Sequence, residues 1–210
     1  SDLTDAAGNN NTAATQFNGT YDTASPSISI TAAEVSDGDV SNDGSLALTF
    51  TASEATTNFG LSDITVSGGV LSDFNASSST VYTATFTPTA SGAVTLATTI
   101  DVAGASFTDV AGNNNIAATQ FNWTYDTAPP TISVAAAEVS DGDTSNDASL
   151  ALTFTTSEAT TDFELSDITV SGGVLSDFNA SSSTVYTATF TPTASGAVTL
   201  ATTIDVAGAS

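Results

Sequence analysis

The chain has 210 residues, of which 23 are Asp or Glu and none is Lys, Arg, His or Cys, so its formal charge is −23. Those absences exclude side-chain salt bridges, disulfides, Cys/His zinc sites, Ser-His-Asp and Cys-His nucleophile systems, and the cationic clamps that nucleic acids and nucleotides require. A hydrophobic content of 40% is enough for packed cores, so the charge belongs to a folded acidic protein and not to a disordered tail.

Along the chain, TDAAGNNN at Thr4 recurs as TDVAGNNN at Thr108, and Ser62 to Ser106 recurs unchanged as Ser166 to Ser210. One unit is therefore present twice, and a start and stop inside a repeat point to a longer tandem array. Each unit reads as all-β, with short alternating runs between turn residues. The predicted strands of the first are SISI (Ser27–Ile30), SLALTFT (Ser45–Thr51, with Leu46, Leu48 and Phe50 inward) and DITVSG (Asp63–Gly68). Gly68-Gly69 turns the chain and Val70–Phe74 returns. Next come TVYTATF (Thr80–Phe86), AVTLATTIDV (Ala93–Val102) and ATQFNWTYD (Ala118–Asp126). About seven strands per repeat is the size of an immunoglobulin-like β-sandwich, here in tandem. No apolar run approaches the ~20 residues of a membrane helix, so no membrane insertion is expected.

Pro129-Pro130 after YDTA marks a domain junction, because proline cannot donate to a sheet ladder and suits a strand's first residue. The expected organisation is residues 1–22 as the last strand of a preceding repeat, 23–126 as a complete domain, and 127–210 as a second domain without its final strand. A sandwich lacking an edge strand exposes unpaired N–H and C=O groups. Residues 1–22 of one chain are therefore expected to complete residues 127–210 of another, head to tail.

Labelling the strands A, B, C, C′, E, F and G gathers oxygen-bearing side chains at both poles of each domain. The A–B loop EVSDGDVSND supplies Glu34, Asp37, Asp39 and Asp43, and its copy EVSDGDTSND supplies Glu138, Asp141, Asp143 and Asp147. This loop falls beside the outgoing linker at Asp126. Glu54 in the B–C loop and TDVAGNNN in the F–G loop (Asp109, Asn113, Asn115) face the incoming linker at Asp22. Their copies are Glu158 and, in the first residues, Asp5, Asn9 and Asn11. Asp63 and Asp167 enter the third strand.

Clusters of oxygen donors without nitrogen or sulfur suit a hard cation. Calcium fits better than magnesium, which holds to octahedral geometry and keeps its water. The competing reading is that Asp, Asn, Gly and Ser are ordinary turn formers. The A–B loop is not an EF-hand, since Leu48 stands where a bidentate Glu is required.

Taken together, TDVAGNNN, WTYDTAPPTI, SEATTDFELSDITVSGGVLSDF and VYTATFTPTASG resemble the bacterial immunoglobulin-like repeats of giant RTX adhesins, of the ice-binding and biofilm type. The resemblance spans the chain. It implies Ca2+-stabilised extender domains that project a distal ligand-binding region from a bacterial cell surface, with identical repeats as neighbours and no catalysis. It also implies that Asp22, Glu34, Asp37, Asp39, Asp43, Glu54, Asp109, Asn113 and their copies hold calcium. Among the differences between the copies, Gly19 stands where the second has Trp123, and Ser25 where it has Pro129. The alternatives are a calcium-dependent glycan-binding module and an acidic enzyme from a salt-loving organism.

Overall fold

The computed structural model describes residues 3–193, 196 and 199–208. Strand alternation builds the core of the first unit. In β3 (Leu46–Ala52), Leu46, Leu48, Phe50 and Ala52 all turn to the buried side. In β6 (Val81–Pro88), Tyr82, Ala84 and Phe86 do the same. Flanking them are β1 (Ile28–Ala32) and β5 (Gly69–Ala76), giving an antiparallel sheet in the order β1-β3-β6-β5. The facing sheet has the order β2-β8-β7-β4, from Val40–Ser41, Phe121–Asp126, Thr95–Val102 and Ile64–Ser67 respectively. Ile100, Val102, Phe121 and Trp123 meet the first sheet across the core. Two sheets of this composition make an immunoglobulin-like sandwich of the constant type, with four strands facing three and the short β2 added.

One expectation changes. Gly68-Gly69 is not a hairpin: β4 and β5 lie in different sheets, and the chain crosses between them at this corner. The fourth strand is thus D and not C′. The glycines are required there. Gly68 has φ +77, and a Cβ on Gly69 would lie 2.2 Å from the Phe86 ring. Further along β5 the ladder to β6 slips between Ser72 and Asn75, at Asp73 with φ 53, a bulge that bends this edge strand.

The chain divides into two compact units, Ser1–Ala128 and Pro129–Ser210. The second repeats the four-stranded sheet with β9 (Ile132–Ala136), β10 (Leu150–Thr156), β13 (Val185–Pro192) and β12 (Gly173–Ala180). Its other sheet is only β11 (Ile168–Ser171) paired with β14 (Thr203–Val206). Among the described residues it has no counterpart of β2 or β8. Residues 3–22 form one local bridge, Thr4 to Asn10, and every one of them is exposed.

Candidate metal centre

Three loop segments converge where the chain enters the first sandwich. The B–C loop and the F–G loop are tied side by side by backbone bonds. Thr56 bridges Asp109, and the Thr57 N–H donates to the Thr108 carbonyl at 3.2 Å. Asn58 Oδ1 accepts the Thr108 N–H at 2.8 Å. The F–G loop is pinned from inside by Asn115, whose amide is buried. Its Oδ1 accepts the Ser106 and Phe107 N–H groups, and its Nδ2 donates to the Ala103 and Ile116 carbonyls. The entering chain is tied in turn: Ile116 N–H donates to the Pro26 carbonyl, and Asn113 Nδ2 to the Asp22 carbonyl.

These ties place Asp22, Glu54 and Asp109 together. One carboxylate oxygen of each lies within 4.8 Å of the others. Oxygens that share one calcium at 2.3–2.6 Å stand up to about 5 Å apart, so the spacing suits that ion. Asp109 is only 3% exposed, Glu54 is half-buried and Asp22 is open to solvent.

The electrostatics match three acids gathered without a basic partner. Burial, then the charges of Asp22 and Asp109, push the Glu54 carboxyl above its ordinary value. For Asp109, burial pushes upward, but the Asn113 side chain and the N–H groups of Asn113, Gly112 and Ala111 outweigh it and hold the carboxyl below its ordinary value. The loop thus favours the ionised form of Asp109, while burial and the two facing charges disfavour that of Glu54.

The remaining sequence candidates are not part of this cluster, and most bond to the chain itself. Glu34 accepts the Ala47 N–H and Glu138 the Ala151 N–H, each at 2.8 Å. Asp37 accepts the Asn122 N–H of β8 at 2.7 Å, and Asp39 the Ser36 N–H at 2.7 Å. Asp43 and Asp147 accept the Ser41 and Ser145 hydroxyls. Asp143 accepts the Ser140 N–H at 2.9 Å, while Asp141 lies in a turn. Asp63 and Asp167 cap their 3-10 turns by accepting the Gly60 and Glu164 N–H groups. Asp126 accepts from Ala128 N–H and Thr95 Oγ1.

Asn113 reaches the cluster through the Asp22 carbonyl and Asp109. Asn115 spends its amide on the loop backbone. Asp5, Asn9 and Asn11 repeat the F–G loop in exposed form: Asp5 accepts from Ala7 and Asn9, and Asn11 from Leu3. The Asn9 side-chain and backbone bonds lower the Asp5 pKa. Glu158 is in the second unit, and residues 127–210 contain no copy of Asp109. The bracing role of Asn58 was missed. Its copy in the second repeat is Asp162, so the repeat comparison gave no signal for it.

The sequence profile of the bacterial Ig-like domain family matches residues 22–125 and again 126–210. No curated protein matches the chain with significance.

Proposed function

The chain belongs to the bacterial Ig-like domain family, in two consecutive copies, and on that premise we propose that it is a calcium-rigidified spacer of a bacterial surface adhesin. The observation that carries this reading is the convergence of Asp22, Glu54 and Asp109 from three separate segments. Asp22 belongs to the entering chain, and the other two to the body of the sandwich. A divalent cation held by all three ties the entry segment to the domain and fixes its direction. Without the cation, three carboxylates face one another with no basic residue in the chain to offset them. Repulsion then frees the entry segment.

A tandem array stiffened at each such entry keeps a distal module at a set distance from its anchor. The expected location is the outside of a bacterial cell, where calcium reaches the millimolar range that suits extracellular sites of roughly 10⁻⁴ to 10⁻³ M affinity. The resemblance to RTX adhesin repeats supports the same reading, and a non-catalytic role fits a chain without His, Cys, Lys or Arg.

Thermal unfolding in chelator and in millimolar calcium tests this. At calcium between ten and a hundred times the dissociation constant, mass action adds about 1.4–2.7 kcal/mol to the folded state. For a domain of this size that raises Tm by several degrees. Asp109→Asn removes most of the rise. Equal Tm with and without calcium contradicts the proposal.

A further inference from the structure

The hairpin of β5 and β6 carries a motif that the cation cluster leaves unused. It reads Asp73-Phe74-Asn75-Ala76-Ser77, and its copy in the second unit reads Asp177-Phe178-Asn179-Ala180-Ser181. Asn-x-Ser/Thr is the triplet whose asparagine amide accepts a glycan. In a chain so rich in Ser and Thr the triplet also arises at Asn10, Asn18 and Asn122. Those three have Gly8, Gln16 and Gln120 two residues before the Asn, whereas Asn75 and Asn179 each have an Asp there. The triplet at Asn122 has the buried Trp123 as its middle residue, which takes it out of reach.

Both units display the motif in the same way. Phe74 turns inward, stacked on Tyr82 at 5.9 Å between ring centroids and edge-on to Phe59 at 6.0 Å. Phe178 repeats the stack on Tyr186 at 6.0 Å. The anchored ring leaves its neighbours outside: Asp73, Asn75 and Ser77 are exposed, and so are Asp177, Asn179 and Ser181. The acid sits at the bulge of the strand, with Asp73 at φ 53 and Asp177 at φ 54. The Asn75 amide donates to Ser77 Oγ at 3.2 Å, and the Asn179 amide to Ser181 Oγ at 3.3 Å. The hydroxyl of the triplet is thus already set against the nitrogen that would take the sugar. β5 and β12 are the end strands of their sheets, so an enzyme can approach from the free edge. A glycan at that rim also obstructs edge-to-edge pairing with another sheet.

We propose that Asn75 and Asn179 are acceptors of N-linked glycosylation, with an oligosaccharide on a lipid pyrophosphate as donor and with Asp73 and Asp177 read as part of the acceptor sequence. An acid two residues before the Asn offers a charge that a basic residue of the transferase can pair with. In the transfer, Asn Nδ2 forms a bond to the anomeric carbon of the sugar. The bond from that carbon to the pyrophosphate oxygen breaks, the lipid pyrophosphate leaves with the electron pair, and one amide proton passes to a base of the transferase. Nothing is oxidised or reduced. In the cell the reaction rests on the exported location proposed above; on the isolated chain it rests neither on location nor on calcium.

The test incubates the purified full chain with a bacterial oligosaccharyltransferase and a lipid-pyrophosphate-linked oligosaccharide, and reads the product by intact mass and peptide mapping. Glycan is expected at Asn75 and Asn179 and not at Asn10, Asn18 or Asn122. Asn75→Gln and Ser77→Ala each remove the glycan at the first site alone. Asp73→Asn keeps a side chain that tolerates the left-handed backbone, and it lowers transfer to Asn75 at least about tenfold. Asn179 in the same molecule stays unchanged and serves as the internal standard. No glycan at either site, glycan at Asn18 to the same extent as at Asn75, or transfer to Asn75 that Asp73→Asn leaves unchanged overturns the proposal. A failed calcium titration leaves it standing, because the two sites share no residue.

Discussion

On the proposed calcium reading, Glu54 is expected to carry opposite consequences in the presence and absence of the ion. Its folded pKa is raised by burial and by the facing Asp22 and Asp109 charges. The folded state therefore holds its proton more tightly than the unfolded chain does. Without calcium, its effect is a loss of stability as pH rises from the ordinary glutamate value of 4.5 through the raised value. Asp109 has the opposite sign. Its pKa is lowered, so its contribution is present above the ordinary 3.8 and is lost as pH falls through the folded value. Glu54→Gln is expected to raise Tm in chelator at neutral pH, to remove the decline above pH 4.5, and to lower Tm in calcium. A pH series of melting curves with and without chelator checks all three signs. Gly69→Ala brings a Cβ against the Phe86 ring and the Thr87 carbonyl, both under 3 Å. Overpacking of that kind costs about 1–3 kcal/mol, read as a lower denaturant midpoint with an unchanged slope.

Among the elements of the first unit, β8 places a tryptophan in the core. Trp123 is 2% exposed and packs between Phe86 and Tyr125. Trp123→Gly, which reproduces the residue found at Gly19, is expected to destabilise the first unit by about 3–5 kcal/mol, measured by chemical denaturation. The strands themselves were legible from alternation. Leu46, Leu48 and Phe50 in β3, and Tyr82, Ala84 and Phe86 in β6, sit on the buried face as their period-two spacing requires. The sheet membership of β5 was not legible. Gly-Gly reads as a tight turn in either arrangement, and it is the pairing of β4 with β7 and of β5 with β6, partners distant in sequence, that shows it to be a crossing. β2 was also hidden, because its two residues lie in a polar loop and pair only with a strand far along the chain.

The candidate site was legible as an excess of acids, but not as a particular three. Composition says that no cation of the chain offsets them; it does not say which carboxylates are already served by backbone N–H groups. Backbone N–H groups serve Glu34, Asp37, Asp39 and Asp63, but they serve Asp22 and Asp109 too, and only the fold shows that these last two share a space with Glu54.

For the whole molecule, a charge of −23 sets the response to calcium and salt. Screening alone shortens the reach of exposed carboxylates to about 10 Å at 0.1 M ionic strength, whatever the salt. The proposed calcium tie at the entry segment is expected to add a change that monovalent salt does not reproduce. Small-angle scattering at constant ionic strength is expected to show less spread in molecular dimensions in calcium than in chelator, and Asp22→Asn to reduce that difference. The most direct measurement is a calorimetric calcium titration of the full chain beside its Asp109→Asn and Glu54→Gln variants. A saturable binding heat is expected for the wild-type chain, lost or weakened at least about tenfold in each variant, equivalent to about 1.4 kcal/mol. No calcium uptake by the wild-type chain, or binding in both variants as tight as in the wild type, contradicts the proposed calcium tie.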